Sequence, residues 1–168
     1  APTRGSGKGL LANIVSALAT GETAEGQVLP EQDDEVRKNI TAQLLKGRPL
    51  LLLDNVSDRK ELRSPALEGA LTLRRWTDRI LGESRTVTLP NRVVWMMTGN
   101  NVRLSVDLAR RSARIRIDPG VERPWLRQEF KHPALIPWVR ENRGTLIHAV
   151  LVLVRAWLAA GKPQGDMQ

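Results

Sequence analysis

Four consecutive leucines running into an aspartate, residues 49–54 (PLLLLD), constrain this chain more than any other feature. A segment that is apolar at every position, rather than at every second one, suits a strand covered on both faces, as in a parallel sheet. Residues 92–98 (RVVWMMT) form a second run of this kind and end in Gly99, Asn100 and Asn101. Between and before them the apolar residues keep helical spacing: Leu10, Leu11, Ile14, Val15 and Leu18 ahead of Gly21, then Val36, Ile40, Leu44 and Leu45 ahead of Gly47. Strands alternating with helices predict an α/β domain.

Lesser elements fill in the order. Residues 27–29 predict a short strand, and the acidic stretch 31–35 opens a helix where carboxylates favour the positive end of the dipole. Ser64 and Pro65 start a helix over 66–73, residues 86–89 form half of a hairpin, and a short helix lies near 107–111. In residues 113–117 Arg114 and Arg116 alternate with apolar neighbours, the pattern of a one-sided third strand. Beyond Pro119 and Gly120 the text turns helical, over 123–131, 133–141 and 144–160. The expected division is a core over 1–118 and a C-terminal helical lid over 119–168.

At 168 residues the chain can bury roughly two-thirds of its unfolded surface without a staple. It has no cysteine, which excludes disulfide scaffolds, cysteine nucleophiles and zinc fingers. Its net charge of +8 is concentrated: residues 59–116 hold 13 Lys and Arg against 5 Asp and Glu, and the remainder holds 13 of each. Such a segment is either a solvated face or the footprint of a polyanion, most simply nucleic acid. No basic and apolar leader opens the sequence, and its longest apolar run, residues 149–154, is far below the ~20 residues of a membrane span. A cytoplasmic protein without a membrane partner is expected. The opening Ala1-Pro2, close to a glycine loop, reads as part of something longer.

Four motifs carry chemistry. Gly5, Ser6, Gly7, Lys8 and Gly9 precede the first helix, where small residues let backbone N–H groups close around phosphate oxygens and a lysine reaches the terminal ones. Against the full phosphate-loop pattern, Pro2 stands at the first glycine and Gly9 at the magnesium-binding hydroxyl. Asp54 ends its strand as either a cap or a magnesium ligand. Asn100, after the second strand, is either half of a Gly-Asn turn or an amide that orients a water. Arg110 and Arg111 are either solvated or able to stabilise phosphoryl transfer from a neighbouring subunit.

In this order, the phosphate loop, acidic strand end, amide, paired arginines and helical lid resemble the AAA+ P-loop ATPases over residues 2–160. Within that superfamily, residues 76–101 (WTDRILGESRTVTLPNRVVWMMTGNN) are similar to phage- and plasmid-type primase–helicases of superfamily three. The resemblance implies an AAA+-like parallel sheet of the five-stranded type with helices on both faces, its first core strand missing from this chain. It implies ATP held by Gly5–Gly9 and Lys8, Mg2+ by Asp54, the γ-phosphate and water met by Asn100, and the neighbour's nucleotide by Arg110 or Arg111. DNA, single-stranded or forked, would meet Arg85, with Arg74, Arg75 and Arg79. The assembly would be a homo-oligomer, a hexameric ring, and the work DNA unwinding or translocation in mobile-element replication.

One departure opens a different class. Asn55 follows Asp54 where these ATPases usually carry a glutamate, and an amide cannot take a proton from water. Either a carboxylate of residues 31–35, such as Glu35, substitutes, or the chain is a non-hydrolysing, degenerate P-loop module for DNA binding or assembly. His132 and His148 have no companion ligands, so a metal site of their own is not expected. Trp125, Trp138 and Trp157 are expected to pack the lid. Arg140 and Arg143 are either surface residues or a lid-borne phosphate sensor.

Overall fold

In the computed structural model, which describes residues 5–164, both continuous apolar runs are strands. In chain order the elements are α1 (Lys8–Thr20), β1 (Gly26–Gln27), α2 (Asp33–Leu45), β2 (Leu50–Val56), α3 (Pro65–Thr72), β3 (Arg75–Arg79), β4 (Thr86–Pro90), β5 (Val94–Gly99), α4 (Val106–Arg110), α5 (Leu135–Glu141) and α6 (Arg143–Ala159). A 3₁₀ turn, Pro124–Leu126, lies between α4 and α5. Pro2 lies outside the described residues.

β1, β2 and β5 form a parallel sheet in the order β1-β2-β5. Leu50 to Leu53 pair in register with Val94 to Met97. Leu51, Leu52 and Leu53 are consecutive and all buried, so both faces of β2 are covered. The architecture is thus α/β with a small parallel sheet flanked by helices, three strands wide among the described residues rather than five, with β5 at its edge.

The contacts divide the chain into two units, each taken by itself. The first holds the sheet and comprises the stretch up to Ala12 with Ala24–Gln128. Its core brings together Val36, Ile40 and Leu44 of α2, Leu53 and Val56 of β2, Ala66, Leu67 and Ala70 of α3, with Trp76 and Leu108. The start of α3 follows from its sequence: Pro65 occupies the first turn, and Ser64 accepts from the Leu67 N–H at 3.1 Å. The Ser64 hydroxyl donates in turn to Asp33 at 2.6 Å, joining the first turns of α2 and α3.

β3 and β4 are an antiparallel ribbon, Arg75 facing Pro90 and Arg79 facing Thr86. A two-stranded ribbon is marginal alone, and this one is fastened to α2 by a buried polar cluster. Trp76 Nε1 donates to Thr41 Oγ1 at 2.8 Å, Thr41 reaches Asp78 Oδ2 at 2.7 Å, and Arg37 pairs with the other oxygen of Asp78. Alternation along β3 buries Trp76 and Asp78 and exposes Arg75, Thr77 and Arg79.

The second unit comprises Asn13–Thr23 and the chain from Glu129 onward. Within this unit the Arg143 guanidinium donates to the carbonyls of Ala17 (3.1 Å), Leu18 (2.9 Å) and Ala19 (3.3 Å) at the C-terminal end of α1, where a cation is favoured.

Two expected elements do not form. Residues 113–117 are irregular, because their apolar alternate has nothing to cover it: Ile115 stays 73% exposed. Residues 123–131 give only the 3₁₀ turn, since Glu129 takes φ 62°, outside any right-handed helix.

Asp78→Ala is expected to cost about 2–3 kcal/mol in chemical denaturation, because Thr41 and Arg37 lose their buried acceptor; an unchanged midpoint would show that the ribbon does not rely on this cluster.

Candidate functional site

The parallel register ends β2 and β5 side by side, and their ends carry the candidate residues. Thr98 Oγ1 donates to Asp54 Oδ1 and accepts from the Asn55 N–H at 3.1 Å, so one hydroxyl fixes both the carboxylate and the chain behind it. Two residues on, Asn100 Oδ1 accepts from Lys8 Nζ at 2.9 Å, and Ser6 Oγ takes a second bond from Lys8 at 3.0 Å. The three residues 98–100 therefore tie the glycine loop and the acidic strand end to one another across sequence gaps of 92 and 44 residues.

The loop has the backbone its composition predicts. Gly5 and Gly7 adopt φ 72° and 88°, the left-handed region, ahead of the first turn of α1. A side chain at Gly5 would press on Trp125 at 3.1 Å, whereas at Gly7 and Gly9 nothing lies within 4 Å. These glycines stand at the start of α1, the end of a helix where an anion is favoured.

At the strand ends the fit is just as narrow. β2 shifts register between Leu53 and Val56, and Asn55 there takes φ 55°, a conformation that asparagine tolerates better than glutamate. Asn101 does the same after β5, at φ 51°. Gly99 pairs with Val56 so closely that a Cβ would stand 2.7 Å from the Val56 carbonyl oxygen and collide with the Val102 side chain. On β1, a Cβ at Gly26 would come within 3.1 Å of the Asp54 Cβ. The loops beyond are joined by a bridge of Leu62 with Leu104, and Arg103 donates to the Arg59 carbonyl at 3.0 Å.

Other expected residues are placed elsewhere. Arg110 is exposed on α4, and Arg111 is held by Asp107 of its own helix, to the carbonyl at 2.7 Å and the carboxylate at 3.3 Å. Glu35 pairs with Lys38 at 2.6 Å, and Glu31 faces Lys60 at 3.5 Å. Arg143 donates to the α1 carbonyls, and Arg140 pairs with Glu22 at 2.7 Å. Trp125 is 59% exposed beside Gly5 and Trp157 is 47% exposed, against the expected lid packing; Trp138 stacks on His132 at 4.0 Å.

On the ribbon, Arg75 and Arg79 share one exposed face with Thr77, Thr86 and Thr88, while Arg74 is exposed just before β3. Arg85, near the turn, pairs with Glu83 at 3.1 Å, which offsets part of its charge. Comparison with family models, curated proteins and solved structures yields no match. Among the described residues no helix is long and apolar enough to cross a membrane, and no three His, Asp or Glu side chains gather as a metal cluster.

Thr98 and Gly99 stand in the sequence motif that ends in Asn100 but carry no role legible there, and Gly26 gives no signal at all, because their roles arise from neighbours on other strands. Gly99→Ala is expected to cost about 1–3 kcal/mol through overpacking, while Gly9→Ala, in open space on a helix, adds about 0.5–1 kcal/mol. Denaturation of both variants checks the pair, and equal effects would contradict this placement of the strand ends.

Proposed function

We propose that the chain is an ATP-binding and ATP-hydrolysing motor domain acting on DNA, of the helicase or primase–helicase type. The observation that carries this reading is the meeting of Lys8 with Asn100, one residue beyond the glycine that follows the Thr98–Asp54 bond. A lysine at a phosphate loop, a carboxylate at one strand end and an amide at the next are the groups that phosphoryl transfer from a nucleoside triphosphate requires.

Gly5–Gly9 and Lys8 would hold the phosphates, and Asp54 a magnesium ion. One carboxylate is enough for that ion, because Mg2+ keeps waters and draws its other ligands from the phosphates. ATP supplies a phosphoryl group whose transfer to water releases the free energy for work. Lys8 compensates phosphate charge, Thr98 keeps the Asp54 carboxylate oriented, and Asn100 accepts from or donates to groups at the strand end. Arg110, which the structure leaves exposed, is better placed than Arg111 to reach a neighbouring subunit, so the reading includes a homo-oligomeric ring, hexameric by the family resemblance. The exposed Arg75 and Arg79, on one face of the ribbon with the hydroxyls of Thr77, Thr86 and Thr88, would meet DNA phosphates.

A second reading, a non-hydrolysing P-loop module for DNA binding or assembly, is favoured by one observation. Asn55 occupies the position of the missing glutamate in a left-handed conformation with its N–H already bonded, and Glu35 is engaged by Lys38.

Magnesium-dependent ATP turnover of the whole chain, with and without single-stranded DNA, separates the two. The motor reading expects DNA-stimulated turnover that falls about 100-fold or more in Lys8→Ala and in Arg110→Ala; DNA binding without turnover establishes the second reading. For the ribbon, the Arg75→Ala/Arg79→Ala double variant is expected to flatten the salt dependence of single-stranded DNA binding by about 1.4 in log–log slope, two phosphate contacts' worth. An unchanged slope places DNA elsewhere.

A further inference from the structure

We propose that α6 is a self-association helix, pairing with α6 of a second copy of this chain. The inference stands apart from the nucleotide reading, since it uses none of that site's residues.

Not one residue of this 17-residue helix is buried. Val150 to Val154 are each between 45% and 70% exposed, and Trp157 and Leu158 are 47% exposed. A helix apolar around its circumference belongs inside a larger structure rather than in water. Its apolar residues also follow a pattern: Leu146, Val150, Leu153 and Trp157 are spaced 4-3-4, and so are Ile147, Leu151, Val154 and Leu158. Each is the repeat of a coiled-coil seam, and together they make two seams side by side.

The chemistry narrows the occupant. An interfacial membrane helix needs a charged face, and between Gly144 and Ala159 the titratable side chains are His148 and Arg155 alone. The helix is also shorter than the ~20 residues that span a bilayer. A highly charged protein partner would find almost nothing to pair with. The surface that matches two apolar seams is another apolar helix, and this chain supplies one in every copy. Val150, Leu151, Leu153, Val154, Trp157 and Leu158 fall on one half of the helix and are each at least 45% exposed, a contiguous apolar patch of the kind that marks an association surface, and a second copy offers the same patch to cover it. Two copies related by a two-fold axis would each bury the same residues.

Sedimentation velocity of the whole chain from about 1 to about 100 μM tests this. The wild type is expected to sediment as a dimer or a higher assembly. Leu151→Glu/Leu158→Glu is expected to be monomeric, its dissociation constant raised at least about 100-fold, with unchanged circular dichroism because these side chains are already exposed. Leu153→Glu, the most exposed of the set, provides a single-site check in the same direction. A wild type monomeric throughout this range, or a double variant that assembles as the wild type does, overturns the proposal. So does a wild type that is monomeric in solution and floats with phosphatidylcholine vesicles, which makes α6 a lipid contact.

Discussion

The parallel pairing of β2 with β5 is the interaction on which the rest of the sheet unit depends. Burial of Leu51, Leu52 and Leu53 on both faces holds the strands together, and the register is set at their ends, where Thr98 bonds Asp54 and Asn55 and Gly99 alone leaves room for the Val56 carbonyl. With Leu53 opposite Met97, Asp54 and Thr98 end up within hydrogen-bond reach, and Asn100 arrives beside Lys8. Apolar burial thus brings the two strands together, and the contacts at their ends align the polar groups.

Several backbone features serve those strand ends and do little for the core. Asn55 and Asn101 both turn the chain out of its strand in the left-handed region, Gly99 lets β5 lie against the Val56 carbonyl, and Gly26 leaves room for Asp54. Asparagine at position 55 acquires a physical account in these terms: it is where β2 shifts register, and asparagine suits the left-handed conformation there. The ribbon is held differently, by Trp76, Thr41, Asp78 and Arg37 in a buried cluster that leaves Arg75 and Arg79 facing outward.

The sequence showed the elements with strong local signals and missed those that depend on distant neighbours. The two apolar runs, the Ser64-Pro65 helix start and the glycine loop were legible because run length, a cap and glycine content each act locally. Residues 113–117 have strand alternation, yet no strand forms there, since alternation cannot provide an edge to pair with or a layer to cover Ile115. For the candidate site, Lys8, Asp54 and Asn100 were legible from their positions at element ends, whereas Thr98 and Gly99 were hidden because only the register reveals what they touch. The partners of Arg140 and Arg143, Glu22 and the carbonyls of α1, were likewise hidden, since they lie 118 residues or more away in sequence. Asp78 and Arg37 gave no sequence signal, since a buried carboxylate on a ribbon looks like any polar residue of an alternating strand.

The central claim is that Gly5–Gly9, Lys8 and Asn100 together form a phosphate site. Titration calorimetry of the whole chain with inorganic tripolyphosphate, in wild type, Lys8→Ala and Asn100→Ala, tests it without relying on turnover or on a nucleobase. The account predicts binding by the wild type, a loss of about tenfold or more in Lys8→Ala, and a smaller change in Asn100→Ala, since the amide carries no charge. Equal binding by wild type and Lys8→Ala, or no binding by either, would contradict it.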